Sequence, residues 1–543
     1  MAEKRPHGSL GTLRLRHEHT NEILLIPQPS NDPNDPLNWP QWYKYFIAGL
    51  SAWAILLSTF GAAGPAVVLS QMAITFFGPP GPDFLSAIAK SAYFVSVCAL
   101  MMGISNVVWV PLMIKYGRRP VYIFAYVLYC GTSIWCAKAD SFASMLVARV
   151  LLGCAAGAGE VLGPLTISDI FFVHERGTMM AIYSCTLSAG TSVGAVISGL
   201  ITINKPWQDI FWVSAGLTGG TALFMFFTLP ETTYVRQAQP STTLPQVTAG
   251  TAPADSDHIN LEKAGFEEHD TIEAANLPPQ RVLGDRPTMM QIIKSMPRSF
   301  TSESMWKLSL RPIVLIVLPS ALWASLVMAV SIGFLVAVSS NISTAFSATY
   351  GFETWQIGVS MISGAIGAVI GIWFGGSLSD SVADYLTRRN NGVREPEMRL
   401  PAMVISLITG PLSLILYGVG VGHQLHWICP VIGLGLLNFT IVQAANISVV
   451  YMIDCYRPVA GEVTMTQYTF KSLFGFLLSF YTNDWIAQSG YINAFGEMAS
   501  ISAAVFLCSF IFYFYGKKMR NSSWHWPVMR KFVHWKGDRE VGE

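Results

Sequence analysis

Charge is scarce in this chain. Asp, Glu, Lys and Arg supply 12% of its 543 residues, about half of the roughly 25% usual in soluble domains, which excludes an ordinary water-facing surface. A dominant sign is missing as well. With 34 Lys and Arg against 33 Asp and Glu the net charge is +1, leaving no basic excess to neutralise nucleic-acid phosphates. The eight cysteines (Cys98, Cys130, Cys136, Cys154, Cys185, Cys429, Cys455 and Cys508) form no CxxC pair and no metal-ligand spacing. They read as small apolar packing residues, and neither a metal nor a cofactor is expected. There is no phosphate loop of G-x-x-x-x-G-K-[ST] type, so ATP is not expected to act directly. A membrane enzyme would need a nucleophile-base set or converging His and acidic ligands; His423 and His426 lie three apart with no third ligand near. The first 42 residues contain no apolar core of signal-peptide type, which places the N-terminus on the cytosolic side.

What the chain has in excess is apolar runs: 52% of its residues are hydrophobic. A membrane-crossing helix needs about 20 mostly apolar residues. Six such runs precede residue 230, near 45–70, 87–113, 120–138, 143–167, 178–203 and 207–229; six follow residue 310, near 312–338, 356–379, 401–422, 427–452, 461–487 and 492–515. With both ends in the cytosol, 29 of the 34 Lys and Arg fall in cytosolic segments. Lys90, Lys138 and Lys205 fall outside, and Arg149 and Lys471 inside spans, as the positive-inside rule requires. The stretch 230–311, rich in Pro, Thr, Ala and acidic residues, reads as a disordered cytosolic linker. The expected organisation is therefore a cytosolic tail (1–42), a six-helix bundle (43–229), the linker (230–311), a second bundle (312–515) and a disordered tail (516–543). A basic cluster recurs after spans 2 and 8, so the fold expected is all-α: twelve transmembrane helices in two pseudo-symmetric six-helix bundles. Such repetition is a mark of secondary transporters, whose substrates bind between the halves near mid-membrane.

Several motifs carry a resemblance. Asn34-Asp35-Pro36-Leu37-Asn38-Trp39-Pro40 before span 1, Tyr116-Gly117-Arg118-Arg119-Pro120 after span 2, Leu229-Pro230-Glu231-Thr232 after span 6 and Arg394-Glu395-Pro396-Glu397-Met398-Arg399-Leu400-Pro401 before span 9 resemble fungal major facilitator superfamily transporters. The nearest likeness is to the twelve-span, drug:proton antiporter-like branch that includes polyamine transporters. The family's loop pattern after span 2, G-x-x-x-D-R-x-G-R-R, is matched by Gly117, Arg118 and Arg119, with Val110 at its first glycine and Ile114 at its aspartate. Gly376 and Asp380 match it in the second half. The resemblance implies that these five residues belong to a cytosolic gate. It further implies that Asp169, Glu175, Arg176, Asp380, Asp454 and Glu462 form salt bridges locking the outward-facing state. Arg149, Gly153 and Gly157 meet the span-4 pattern R-x-x-x-G-x-x-x-G. In span 5, Gly190 and Gly194 meet G-x-x-x-G-P, but Ala195 replaces the proline.

A charge at bilayer centre costs about 2.5–3.5 kcal/mol on insertion scales, so each one is a functional candidate. Glu160 and Arg149 are eleven residues apart, about 20° from eclipsed and roughly 16 Å along the axis, so each needs a partner from another helix. Glu160 is expected to take a proton or contact a cationic substrate group, or else to be a structural acid. Arg149 either assists coupling, as the resemblance implies, or braces helices through carbonyls. Lys471 lies in a polar stripe with Thr464, Gln467, Gly475 and Thr482, which lines a cavity or packs on another helix; it is either a counter-charge to Glu160 or an anion site. Span 5 has a stripe of Ser184, Ser188, Thr191, Ala195 and Ser198, suited to close packing or to substrate. Gln443 and Asn446 either hold substrate or tie helices together. Trp323, too deep for an interface belt, either stacks a ring or cation or fills the core. Asn341-Ile342-Ser343 falls in the expected outside loop after span 7 as a glycosylation site.

The function expected from these readings is proton-coupled transport of a small organic molecule by alternating access, most simply efflux of a metabolite, toxin or drug; the alternative is proton-coupled import of a cationic nutrient such as a polyamine. The partners expected are substrate, protons and the lipid bilayer, with no nucleic acid. The chain is expected to act as a monomer in the plasma membrane, with the vacuolar membrane as the alternative.

Overall fold

A computed structural model describes residues 11–14, 30, 32, 34–79, 81, 84–234, 300, 301 and 304–532. Most of the linker, 235–299, and most of the N-terminal tail lie outside the described residues. Among the described residues, eleven helices are long and apolar enough to cross a membrane; the last, Ala460–Trp524, has 65 residues. At 1.5 Å per residue it would be about 98 Å long, three times the hydrocarbon thickness. It folds back at Gly490, whose φ of 76° and ψ of 163° are not helical. It therefore crosses twice, and the spans number twelve.

Spans 1–6 are Gln41–Phe77, Ser86–Tyr116, Arg118–Ala137, Phe142–Ile170, Glu175–Ile201 and Gln208–Thr228. Spans 7–10 are Pro319–Tyr350, Thr354–Arg389, Pro396–Gly422 and Ile428–Cys455. Spans 11 and 12 are the two sides of Gly490. In the first half span 1 packs on 5 and 4, span 2 on 4, and span 3 on 4 and 6; in the second half span 7 packs on 11 and 10, span 8 on 10, and span 9 on 10 and 12. The two lists are one list with six added to each number. The halves meet where span 2 packs on 11 and span 5 on 8, which again exchange under that rule.

Polar groups inside lipid must be satisfied within the protein, and span 3 does this with a ladder of tyrosines. Tyr122 donates to Ser51 Oγ (3.2 Å), Tyr126 to the Ala54 carbonyl (2.5 Å) and Tyr129 to the Leu57 carbonyl (2.9 Å), one contact per turn along span 1. Apolar side chains such as Phe124, Leu223, Ile366 and Leu477 stay exposed on the outer faces, where acyl chains rather than water would meet them.

Three of the differences from the sequence reading concern polar residues that it placed outside the helices. Span 7 continues to Tyr350, so Asn341 is not in a loop: it is buried in the helix and its amide donates to Asn483 Oδ1 at 3.1 Å. A glycan would have to displace that helix contact. The last helix does not stop at 515 but runs to Trp524, with a further short helix at Pro527–Phe532. Lys517 and Arg520 hold it by pairing with Glu395 and Glu397. Finally, Met305–Leu315, which begins inside the expected linker, is helical and anchored by Arg311 to Glu462 at 3.5 Å and by Ser309 Oγ to the Val107 carbonyl. At the same end of the molecule Leu13–Arg14 (β1) pairs antiparallel with Val393–Arg394 (β2).

Candidate functional site

Span 4 carries a proline at position 164, inside the helix. Proline has no amide proton, so the carbonyl four residues earlier, that of Glu160, loses its helical partner. The Tyr183 hydroxyl on span 5 donates to it at 2.6 Å. Gly163 makes room, since a Cβ there would fall 2.1 Å from the Tyr183 ring. The Glu160 side chain points across the boundary between the halves. Lys471 Nζ, on span 11, donates to Glu160 Oε1 at 2.8 Å, and the ammonium also lies 4.5 Å over the Tyr468 ring. The two residues are 3% and 4% exposed. Glu160 Oε2 has no hydrogen-bond partner.

Arg149 is fully buried and its guanidinium is spent on carbonyls of spans 1 and 2: Gly61 at 2.7 Å, Ala62 at 2.5 Å and Phe94 at 2.9 Å. Gly61 stands four residues before Pro65, so its carbonyl too lacks a helical donor. This geometry is that of a brace, and it lies within the first half.

Gln443 donates to the Ala402 carbonyl and accepts from Ser406, both at 3.0 Å. These contacts occupy both ends of its amide and tie span 10 to span 9. Trp323 is likewise engaged within the protein. Its indole donates to the Val505 carbonyl at 3.1 Å, stacks on Phe512 at 4.7 Å and meets Tyr451 edge-on, so it packs inside the second half. Asn446 differs: its amide donates to the Gly375 carbonyl at 2.7 Å, within a π-helical turn of span 8 (Trp373–Leu378), and reaches the Gly177 carbonyl of span 5 at 3.5 Å. Its Oδ1 has no partner, nor does Gln467 Oε1, whose Nε2 reaches the Ser448 carbonyl at 3.5 Å. Ser188, from the small-residue stripe of span 5, donates to Asn438 Oδ1 of span 10 at 2.6 Å.

The residues expected to form a gate fall in two groups at the end of the molecule where span 1 starts and span 12 finishes. In the first half the Arg118 and Arg119 amides donate to the Glu231 carboxylate at 2.8 and 3.1 Å, an anion on a helix N-terminus. Gly117 has φ 91°, and a Cβ there would fall 2.4 Å from Glu231 Oε2. Arg118 also pairs with Asp169 at 3.2 Å. In the second half Asp380 takes Arg399 at 2.5 Å and Arg394 at 3.8 Å, and Arg399 reaches Asp454 at 3.5 Å. Burial and the neighbouring Arg399 pull the Arg394 guanidinium below its usual range; Asp454, Asp380 and Asp384 oppose them. Asp380 also crosses between the halves, accepting from Thr178 Oγ1 of span 5 at 3.3 Å. Gly376 lies against the same turn, 2.8 Å from Ala181 Cβ for an added Cβ. Glu175 accepts from Gln41 Nε2, and Arg176 donates to the Ser168 carbonyl.

Sequence reasoning missed Tyr183, Asn438 and the capping role of Glu231. Pro164 was a usable signal for the first, because a proline inside a span announces an unpaired carbonyl one turn back. Asn438 gave none: Ser188 stood out only as a member of the small-residue stripe, and nothing in the sequence pairs that stripe with a single amide on span 10.

The family model described as Major Facilitator Superfamily matches residues 52–479. The chain belongs to that superfamily. Among its relatives, Protein HOL1 of Saccharomyces cerevisiae is 25% identical over 550 residues, covering 93% of this chain and 91% of the relative. The efflux pump radE of Floropilus chiversii is 24% identical over 522 residues, covering 95% and 88%. The solved structure of the proton:xylose symporter XylE, 12% identical with a TM-score of 0.59 over 88% of this chain and 97% of its own, has the same fold. This major facilitator chain is thus a fungal-type transporter rather than an enzyme, and its substrates are small molecules bound within the membrane.

Proposed function

We propose that the protein is a proton-coupled efflux transporter of a small organic molecule, with Glu160 as the proton-carrying acid. The supporting observation is the buried Glu160–Lys471 pair, which joins span 4 of one half to span 11 of the other at 2.8 Å. A buried ion pair is strongly destabilised when one member loses its charge. Protonating Glu160 releases Lys471, so the contact across the halves is bound to the proton and the halves can rock apart around the site. Arg149, fixed to three carbonyls, keeps span 4 against spans 1 and 2 while this happens. The gate reading assigns the Glu231, Asp169 and Asp380 groups to the cytosolic end, with both termini there and the protein in the plasma membrane. It acts as a monomer.

The alternative, import of a cationic nutrient, is favoured by one feature. The buried atoms without partners on Glu160, Gln467 and Asn446 are all acceptors, which suits a substrate rich in N–H donors.

The test compares metabolites inside cells and in the medium, with and without the gene, and repeats the comparison with a protonophore. Gene-dependent appearance of a compound in the medium, lost when the gradient collapses, is expected. Gene- and gradient-dependent uptake would establish import instead, and indifference to the protonophore would remove proton coupling.

A further inference from the structure

Between the helices that carry Glu160 and Lys471 stands span 2, and it is held at backbone contact on both sides. On the span-4 side a Cβ at Gly157 would fall 2.3 Å from the Met102 carbonyl oxygen, and one at Gly153 would fall 2.4 Å from that of Cys98. Glu160 follows Gly157 by less than one turn. On the span-11 side a Cβ at Gly103 would fall 2.3 Å from Ser472 Cβ, 2.4 Å from Ser472 Oγ and 2.9 Å from the Tyr468 carbonyl oxygen. Thr469 Oγ1 donates to the Gly103 carbonyl at 3.0 Å. Lys471 therefore lies on the turn of span 11 that is seated on Gly103.

We infer that Gly103 is a positioning residue for the Glu160–Lys471 pair, its missing side chain setting how closely span 11 approaches and hence whether the ammonium reaches the carboxylate. The inference rests on the reading of that pair as the coupling element. Carbon atoms settle at about 3.5–4.0 Å, so a methyl group at Gly103 would move span 11 outward by about 1 Å or more. Hydrogen bonds weaken steeply over that distance. A pair at 2.8 Å is then stretched past direct contact. Because Gly103 belongs to the first half and Ser472 to the second, the glycine contact, the Thr469 bond and the ion pair form and break together as the halves meet and part. The contact makes pairing report closure.

The proton itself is the probe for the test. In purified protein the carboxylic-acid infrared band that Glu160→Gln removes is followed against pH, giving the midpoint at which Glu160 takes its proton. Lys471→Ala is expected to move that midpoint by at least one pH unit, a tenfold or greater change in proton affinity. Gly103→Ala is expected to move it in the same direction by at least half as much. Ser472→Gly in the Gly103→Ala chain, which removes the two closest atoms, is expected to return most of the shift. Should Gly103→Ala not reach the membrane, Ser472→Thr adds its methyl at the same contact and is read the same way. A midpoint moved by Lys471→Ala but not by the bulkier contact overturns the role of Gly103 alone, as does a shift that Ser472→Gly fails to reverse. A midpoint unmoved by Lys471→Ala overturns the coupling reading of the pair and this inference with it.

Discussion

Pro164 stands four residues after Glu160 in span 4, and the carbonyl it leaves without a helical donor is taken by the Tyr183 hydroxyl at 2.6 Å. Span 5 is thereby fastened to the turn that presents the buried acid. A buried acceptor left unsatisfied costs about 1–3 kcal/mol. Tyr183→Phe is therefore expected to lower the unfolding temperature of the detergent-purified protein by several degrees. Adding Pro164→Ala to that variant supplies an amide proton in the right place and is expected to recover most of the loss. Independent, additive losses in the two single variants and the double would show that the proline and the tyrosine are not linked.

Asp380 is shared between its own half, through Arg399 at 2.5 Å, and the other half, through Thr178 at 3.3 Å. Thr178→Val removes only the crossing bond, worth about 0.5–1.5 kcal/mol, and is expected to shift the balance towards opening at that end by roughly two- to twelvefold. Spin labels placed on the loops after spans 2 and 8 would read this as a larger population of long distances. Asp380→Asn also takes from the buried Arg399 the nearer of its two carboxylates, leaving Asp454 at 3.5 Å. It is expected to reduce the amount of folded protein as well, whereas a distance distribution unchanged by Thr178→Val would remove Thr178 from the gate.

The twelve spans were legible in the sequence because lipid imposes a length and an apolar content on every crossing helix. The charged residues were legible because burying them is costly. Partners were not. Glu160 and Lys471 are separated by 311 positions, and periodicity says which face of a helix a residue occupies but not which helix that face meets. Gln443 and Asn446 show the same limit. They lie one turn apart on span 10, yet one has both ends of its amide bonded to span 9 and the other keeps a free oxygen. The ends of helices were also misjudged, at Asn341 and at 516–524, where polar residues continue a helix because a partner on another element satisfies them.

Asn341 gives a simple check of that last point. Inside span 7 its amide donates to Asn483 of span 11 and it is 4% exposed, so oligosaccharide transfer to the folded chain is blocked. Treatment with an endoglycosidase is expected to leave the electrophoretic mobility unchanged, and Asn341→Gln is expected to migrate as the parent does. A mobility shift abolished by Asn341→Gln would mean that this part of span 7 is exposed to the transferase before it packs.

The ion pair separates charge balance from coupling. Lys471→Met leaves the Glu160 carboxylate buried without a counter-charge, and breaking a buried pair in this way costs about 3–5 kcal/mol. Glu160→Gln leaves the ammonium in the same position, apart from the Tyr468 ring beneath it. Either single variant is expected to be less stable than the parent. The double variant Glu160→Gln, Lys471→Met is expected to regain stability, because a neutral pair of similar volume carries no desolvated charge. Transport should follow a different order. Glu160→Gln and the double variant are both expected to lose gradient-driven transport, since neither retains a group at 160 that can exchange a proton. Lys471→Met keeps the acid and is expected to alter the concentration dependence for substrate. Thermal stability and gradient-driven flux measured on the same three preparations test this. Gradient-driven flux in the double variant would exclude Glu160 as the coupling acid, whatever its stability.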